Sequence, residues 1–248
     1  MELEQNNYRE TSIDRNILTE IPASKHFIAN VFIWMFAALA ISALPAFVFI
    51  SSPDLLNVLR NTTGLSLIGK IVMFAPLGFA LLMSFGYHKL SLPVLSVLFV
   101  TYALINGISF SFILMIYTPG SVLSCFIAAA LMFGIMAVLG YTTDKDLTSF
   151  GRLMMMGLIG MIVVSLVNFF MGSETISYII GVVGVLVFTG LTAYDVQKLK
   201  NIARGIDANG DALEIADTRK LAIMGAFSLY LDFINLFLSL LRVFGRKN

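Results

Sequence analysis

The sequence predicts an all-α integral membrane protein, a bundle of about seven transmembrane helices. Of its 248 residues, 58% are hydrophobic and only 12% are charged, and the mean hydropathy is +0.89. Soluble domains usually contain about 25% charged residues. A water-soluble fold could not hide so much apolar surface, whereas a bilayer removes the need to hide it. The net charge of +1 also argues against nucleic acid as a partner.

Seven apolar stretches have the length that a membrane-spanning helix requires, which is about 20 residues. They cover approximately residues 27–50, 71–87, 92–117, 121–141, 153–172, 176–197 and 221–241. The first stretch is longer than the apolar core of a cleavable signal peptide, about 7–15 residues. We therefore expect a polar N-terminal tail at 1–26, followed by a seven-helix transmembrane domain at 27–245 that includes the first stretch.

The distribution of basic residues predicts the orientation of the chain. Cytoplasmic loops of membrane proteins carry an excess of Lys and Arg. Eleven of the 16 Lys and Arg residues fall on the side of the N-terminus, and five fall on the other side. The N-terminus is therefore expected to be cytoplasmic. Three of those five, Arg242, Arg246 and Lys247, lie in the tail, which leaves open whether the last segment crosses fully.

The chain contains few residues of the kinds that soluble enzymes use for catalysis or that bind a cofactor. Cys125 is the single cysteine and lies in an apolar run, so neither a disulfide framework nor a thiolate metal cage is available. The acids at 207–211 suggest a calcium loop, but the Gly and Glu that an EF-hand requires are replaced by Ala212 and Thr218. We expect neither an enzyme nor a cofactor.

Two acidic residues, Asp195 and Asp232, lie in or at the edge of apolar spans. An ionised carboxylate at the centre of a membrane helix costs about 2.5–3.5 kcal/mol, so an intramembrane acid is a functional candidate. Asp232 is the stronger candidate because unbroken apolar sequence flanks it. Asp195 is near the end of its span, where a carboxylate wetted by the boundary is the alternative interpretation.

Residues Gly225, Ser228, Asp232, Asn235 and Ser239 follow one another at steps of three and four, which places them on one helix face. This polar stripe is expected to face the bundle interior or a water-filled path.

Two close carboxylates cannot both ionise cheaply, so the pair would share a proton. When doubly ionised it would offer oxygen ligands to calcium. The two residues meet only if the sixth helix continues past Lys198 or the seventh begins near Gly225. A purely structural pair of interhelical hydrogen bonds is the alternative, and Asn106 and Asn168 are expected to supply ordinary hydrogen bonds of that kind.

The same residues carry a family resemblance. The segments Gly190–Gln197 (GLTAYDVQ), Leu229–Phe237 (LYLDFINLF) and Leu240–Gly245 (LLRVFG) resemble motifs of the transmembrane Bax-inhibitor-motif proteins, in particular their bacterial branch. The resemblance implies a seven-helix bundle with the last helix at its centre. It also implies a pH-sensitive calcium leak in the bacterial cytoplasmic membrane.

In that family two hydrogen-bonded aspartates sense pH, and they correspond to Asp195 and Asp232. A basic residue at the cytoplasmic end of the second helix pairs with the first aspartate and holds the channel closed. Tyr87-His88-Lys89 stands at that place, so Lys89 is the predicted latch, with His88 behind it.

Two other functions are compatible with the residues. One is a regulator that transports nothing and binds a membrane protease or a partner in a stress pathway, with the polar tail as its contact. The other is an intramembrane aspartyl protease, since Tyr194-Asp195 and Asp232 are its minimal parts. No glycine directly precedes Asp232 and no Pro-Ala-Leu element follows, which argues against the protease.

Overall fold

The computed structural model describes residues 23–61, 64–209 and 215–248, so residues 1–22 of the predicted tail lie outside the described residues. The described elements are α1 (Ala23–Ser51), α2 (Pro53–Leu59), β1 (Arg60–Asn61), β2 (Gly64–Leu65), α3 (Leu67–Gly86), α4 (Leu92–Ile116), α5 (Pro119–Thr142), α6 (Thr148–Met171), α7 (Glu174–Asn209) and α8 (Ile215–Phe244). The strands form one antiparallel ribbon. Every helix except α2 is long and apolar enough to cross a membrane, which confirms the predicted fold class.

Successive spans alternate in direction, so the bundle has two ends. The N-terminal end contains the start of α1 and the end of α7, where the backbone N–H of Ser24 donates to Asp207 Oδ1 at 3.0 Å. The C-terminal end contains the start of α7 and the end of the chain, where Lys247 Nζ lies 2.8 Å from Glu174 Oε1.

The predicted bounds of the last two spans were wrong, while the remaining ends differ by only a few residues. The sixth span was expected to end at 197 and the seventh to begin at 221, but α7 continues to Asn209 and α8 begins at Ile215. The predicted loop at 198–220 is thus replaced by helix, except for residues 210–214, which lie outside the described residues.

The physical reason is an amphipathic extension of α7 beyond its apolar core. Hydropathy falls where Lys198 and Lys200 enter the sequence, yet Leu199, Ala203 and Ile206 keep helical spacing and are buried. Such a stripe stabilises a helix by packing, even where the other face carries charges. Hydropathy therefore identifies the part of a helix inside the membrane and not its solvated end.

The last helix, α8, is the centre of the bundle, as the resemblance implies. Of its 18 most hydropathic consecutive residues, 67% are buried, compared with 50% for α7 and 6% for α6. It packs against α1, α4, α5 and α7. The side chains that fill the space between these helices include Phe227, Leu229, Tyr230 and Leu236, all of which are almost completely buried.

A buried polar cluster around Tyr230 fixes α8 to α1 and α4. The Tyr230 hydroxyl is 2.7 Å from Ser42 Oγ and accepts a hydrogen bond from Asn106 Nδ2 at 3.0 Å. Ser42 Oγ also lies 2.9 Å from the carbonyl oxygen of Ala103. Because lipid supplies no alternative partners, these groups depend on one another. The cluster sets the rotation of α8, which carries the polar stripe on another face.

We expect Tyr230→Phe to lower the free energy of unfolding by about 1 kcal/mol, since it leaves Ser42 and Asn106 without a shared partner in a buried position. The melting temperature of the purified protein in detergent measures this change. Tyr178→Phe is the control, because Tyr178 is exposed on the outer face of α7. Equal melting temperatures for the two variants would show that the cluster does not stabilise the bundle.

Candidate functional site

The continuation of α7 places Asp195 against α8. Ser228 Oγ donates a hydrogen bond to Asp195 Oδ2. Ser228 lies one helical turn before Asp232 on α8. Asp232 is only 5% exposed, and both aspartates line one cavity. The first of the two conditions for their approach is therefore met, since α7 runs past Lys198.

This first cavity has a volume of about 590 Å³ and lies between α3, α6, α7 and α8. The polar stripe supplies its polar wall through Ser228, Asp232, Asn235 and Ser239. The opposite walls are mainly apolar: Leu77, Ala80, Met155, Leu158, Met161, Ile162, Phe188 and Leu191. The stripe thus faces a space inside the bundle, and the carboxyls are the acidic groups that line it.

A second cavity of about 300 Å³ lies on the side of the N-terminal end and is lined by Tyr87 and Lys198, among others. It shares Asp195 and Ser228 with the first cavity. The hydrogen bond between these two side chains therefore stands where the two cavities adjoin. A change that separates Asp195 from Ser228 acts directly on the boundary between them.

Two cationic side chains flank the aspartates. Lys198, one turn beyond Asp195 on α7, interacts electrostatically with that carboxyl. Arg242 lines the first cavity ten residues after Asp232, about 15 Å along α8. At the second cavity, burial and the negative charge of Asp217 raise the pKa of Tyr87. The site thus has cations on both sides of its two carboxyls.

Hydrogen bonding distinguishes Asp232 from the rest of the polar stripe. Asn235 Nδ2 donates to the Leu231 carbonyl at 2.9 Å, and Ser239 Oγ donates to the Asn235 carbonyl at 2.7 Å, so both side chains bond to their own helix. Asp232 Oδ2 is buried and has no hydrogen-bond partner in the described part of the chain. Asp195 bonds to Ser228, and no direct hydrogen bond joins the two carboxyls within those residues.

The predicted latch residues lie on the turn that follows α3. His88 and Lys89 are both exposed there, and the His88 ring packs edge-on against Tyr87 with centroids 4.9 Å apart. Lys89 forms no ion pair with any described residue, and Tyr87 rather than Lys89 lines the second cavity. The pairing of Lys89 with Asp195 as the latch of the closed state stays a prediction.

The described residues contain no group of three or more His, Cys, Asp and Glu side chains that could hold a metal ion. The transient contact of calcium with Asp195 and Asp232 stays a prediction. Sequence reasoning missed Ser84 and Arg242 as lining residues of the first cavity. Arg242 follows Ser239 by three residues and continues the spacing of the polar stripe, a signal that could have identified it.

Comparison with known proteins agrees with this architecture. Over residues 24–248 the chain matches the family described as "Inhibitor of apoptosis-promoting Bax1". The inner membrane protein YbhL of Escherichia coli (strain K12) is 42% identical over 221 residues, which cover 89% of this chain and 92% of that protein. An uncharacterized protein of Rickettsia prowazekii (strain Madrid E) is 39% identical over 225 residues, 90% of each chain.

An uncharacterized membrane protein of Streptococcus pyogenes serotype M3 is 37% identical over 199 residues, covering 79% of this chain and 80% of the relative. These relatives are bacterial, and the names of two of them state a membrane location. The matches confirm the family resemblance that the C-terminal motifs carry. This chain belongs to the Bax inhibitor-1 family of integral membrane proteins.

Proposed function

We propose that this protein is a pH-sensitive calcium leak channel of the bacterial cytoplasmic membrane, with its N-terminal end in the cytoplasm and with Asp195 and Asp232 as its proton sensor and gate. One observation carries the proposal: two cavities adjoin at the hydrogen bond between Asp195 and Ser228. Separation of α7 from α8 at this point would join them into a longer path. The excess of Lys and Arg on the N-terminal side supports the orientation.

In the structure Asp195 accepts the hydrogen bond of Ser228 and attracts Lys198. Protonation of Asp195 removes the charge that holds these groups, so α7 and α8 separate more easily. We therefore expect the leak to increase as the pH falls. When both carboxyls are ionised they offer oxygen ligands to calcium, so protons and calcium compete for the same pair.

The choice of calcium as the permeant ion rests on the family resemblance. Selectivity filters are built from rings of carbonyls or of charged side chains, and two carboxyls on two neighbouring helices do not form such a ring. The geometry supports gating by protons more directly than it supports the selection of one cation. Flux of other cations through the same path is measured in the same liposomes with dyes for those cations.

The test is calcium influx into liposomes that contain the purified protein and a calcium dye, recorded from about pH 6 to pH 8, a range in which a coupled carboxyl pair can titrate. We expect a wild-type leak that rises with acidity and a flat response for Asp195→Asn. Asp144→Asn is the matched control, because Asp144 is an exposed acid at the same end of the bundle. It should keep the wild-type response.

Absence of any leak above that of empty liposomes would contradict the channel proposal. This protein would then be studied as a regulator that binds a membrane protease or another membrane protein through its polar tail. Removal of residues 1–22 separates these functions, since a regulator loses its partner while a channel keeps its leak.

The latch gives a separate prediction. We expect Lys89→Ala to increase the leak at neutral pH by about two- to fivefold, the factor that corresponds to the loss of one exposed ion pair. Lys70→Ala, which removes an exposed lysine from the opposite end of the same helix, is the control. An unchanged leak in Lys89→Ala would remove Lys89 from the mechanism without affecting the aspartate pair.

A further inference from the structure

A groove of about 660 Å³ lies between α5 and α8 on the side of the C-terminal end. None of its lining residues lines either cavity at the aspartates. It is therefore a separate feature, and an inference about it is independent of the proposed leak.

The groove has a polar mouth and an apolar interior. The mouth is lined by Thr118, Gly120, Ser121, Ser124 and Arg246, and the remainder is lined by Cys125, Ala128, Met132, Leu240 and Phe244. The segment from Gly120 to Met132 extends about 18 Å along α5. The hydrocarbon core of a bilayer is about 30 Å thick, so the groove is slightly deeper than one leaflet.

The groove opens on a surface that faces the bilayer. Leu131, beside it on α5, is 62% exposed, and Phe244 on α8 is 69% exposed. Both belong to helices that are long and apolar enough to cross the membrane. Lipid hydrocarbon is the solvent of such a surface, so a groove within it is open to an acyl chain.

The mouth adds a fixed positive charge. The backbone N–H of Arg246 donates to Ser121 Oγ at 3.0 Å, and its carbonyl accepts from the backbone N–H of Thr118 at 2.9 Å. These bonds hold the chain that carries the guanidinium at the mouth. Lys247, the next residue, is paired with Glu174, whereas Arg246 forms no ion pair within the described ranges.

We propose that this groove binds one anionic phospholipid, with the headgroup phosphate at Arg246 and an acyl chain between α5 and α8 as far as Met132. A planar guanidinium matches phosphate geometry, and an anionic headgroup presents its phosphate without a cation of its own beside it. A zwitterionic lipid carries its own cation beside the phosphate and gains less from Arg246.

The test compares phosphatidylglycerol and phosphatidylcholine with identical acyl chains, added to the delipidated protein in detergent. Binding is measured by native mass spectrometry, and stabilisation by the shift in melting temperature. We expect the wild type to prefer phosphatidylglycerol. Arg246→Gln should reduce that preference about fivefold, the factor for one basic side chain near a membrane surface. Arg60→Gln, an exposed arginine at the same end and outside the groove, should leave it unchanged.

A second variant tests the apolar part of the groove. Ala128→Leu adds side-chain volume that fills part of the groove. It should therefore reduce the binding of both lipids while leaving their ratio unchanged. Equal binding of the two lipids by the wild type, or an unchanged preference in Arg246→Gln, would overturn the headgroup assignment. If inorganic phosphate alone raised the melting temperature as much as phosphatidylglycerol, the site would be one for free phosphate and the proposal would fail.

Discussion

Asp232→Asn should abolish the pH dependence of the calcium leak and leave the fold intact. The substitution keeps the size of the side chain and removes its only titratable group. Asp232 is 5% exposed and faces the first cavity with one carboxyl oxygen unpartnered in the described structure. A charge at such a position requires water or a cation beside it. Without that charge, the leak of the variant should be constant from about pH 6 to pH 8.

The control for this variant is Asn235→Ala, which changes a neighbouring member of the polar stripe that cannot titrate. Asn235 bonds to its own helix through Leu231, so its removal should preserve the pH response. Circular dichroism and the melting temperature show whether each variant is folded. A folded Asp232→Asn protein with the wild-type pH response would mean that Asp232 is not part of the sensor.

Gly140→Ala should lower the stability of the bundle, because the added methyl group forces α5 away from α7. A Cβ at Gly140 would overlap the carbonyl oxygen of Ala193 and lie 2.9 Å from its Cα. These are backbone atoms, which cannot rotate aside. Overpacking of this kind costs about 1–3 kcal/mol. Since Ala193 is two residues before Asp195, the shift should also alter the leak of the protein that remains folded.

Gly134→Ala on the same helix is the matched comparison. A Cβ there meets nothing within 4 Å, so the change should be neutral or should gain up to about 1 kcal/mol from helix propensity. Melting temperatures of the two variants in one detergent measure the difference. If Gly140→Ala had the same melting temperature as Gly134→Ala, the close contact between α5 and α7 would not be required for stability.

The sequence allowed the number of spans and their approximate positions to be predicted, because hydropathy alone decides which segments enter a bilayer. It did not allow the ends of α7 and α8 to be predicted. Lys198 and Lys200 reduce the hydropathy, while the packing of Leu199 and Ala203 that extends α7 becomes visible only when its partner helix is known. The charge of a residue is local, whereas its burial depends on the fold.

The candidate site, too, could be predicted only in part from the sequence. The free-energy cost of a charge in lipid identifies Asp195 and Asp232 as candidates. The spacing of the polar stripe places its members on one helix face. The contact between Asp195 and Ser228 joins residues 33 positions apart, and that between Ser42 and Tyr230 joins residues 188 positions apart. Periodicity within one helix carries no information about such pairs, so Ser228 was predicted as a lining residue and not as the partner of Asp195.

The central position of α8 has a consequence for biosynthesis. The helix at the middle of the bundle follows the six other described spans in the chain, so α1, α4, α5 and α7 are synthesised before the neighbour that they share. At about 5–20 residues per second, the 30 residues of α8 take about 2–6 s to synthesise. During that time Ser42 and Asn106 lack the Tyr230 hydroxyl, and the half-made protein exposes polar groups to lipid. A chain that stops before α8 is therefore expected to be recognised as incomplete and degraded.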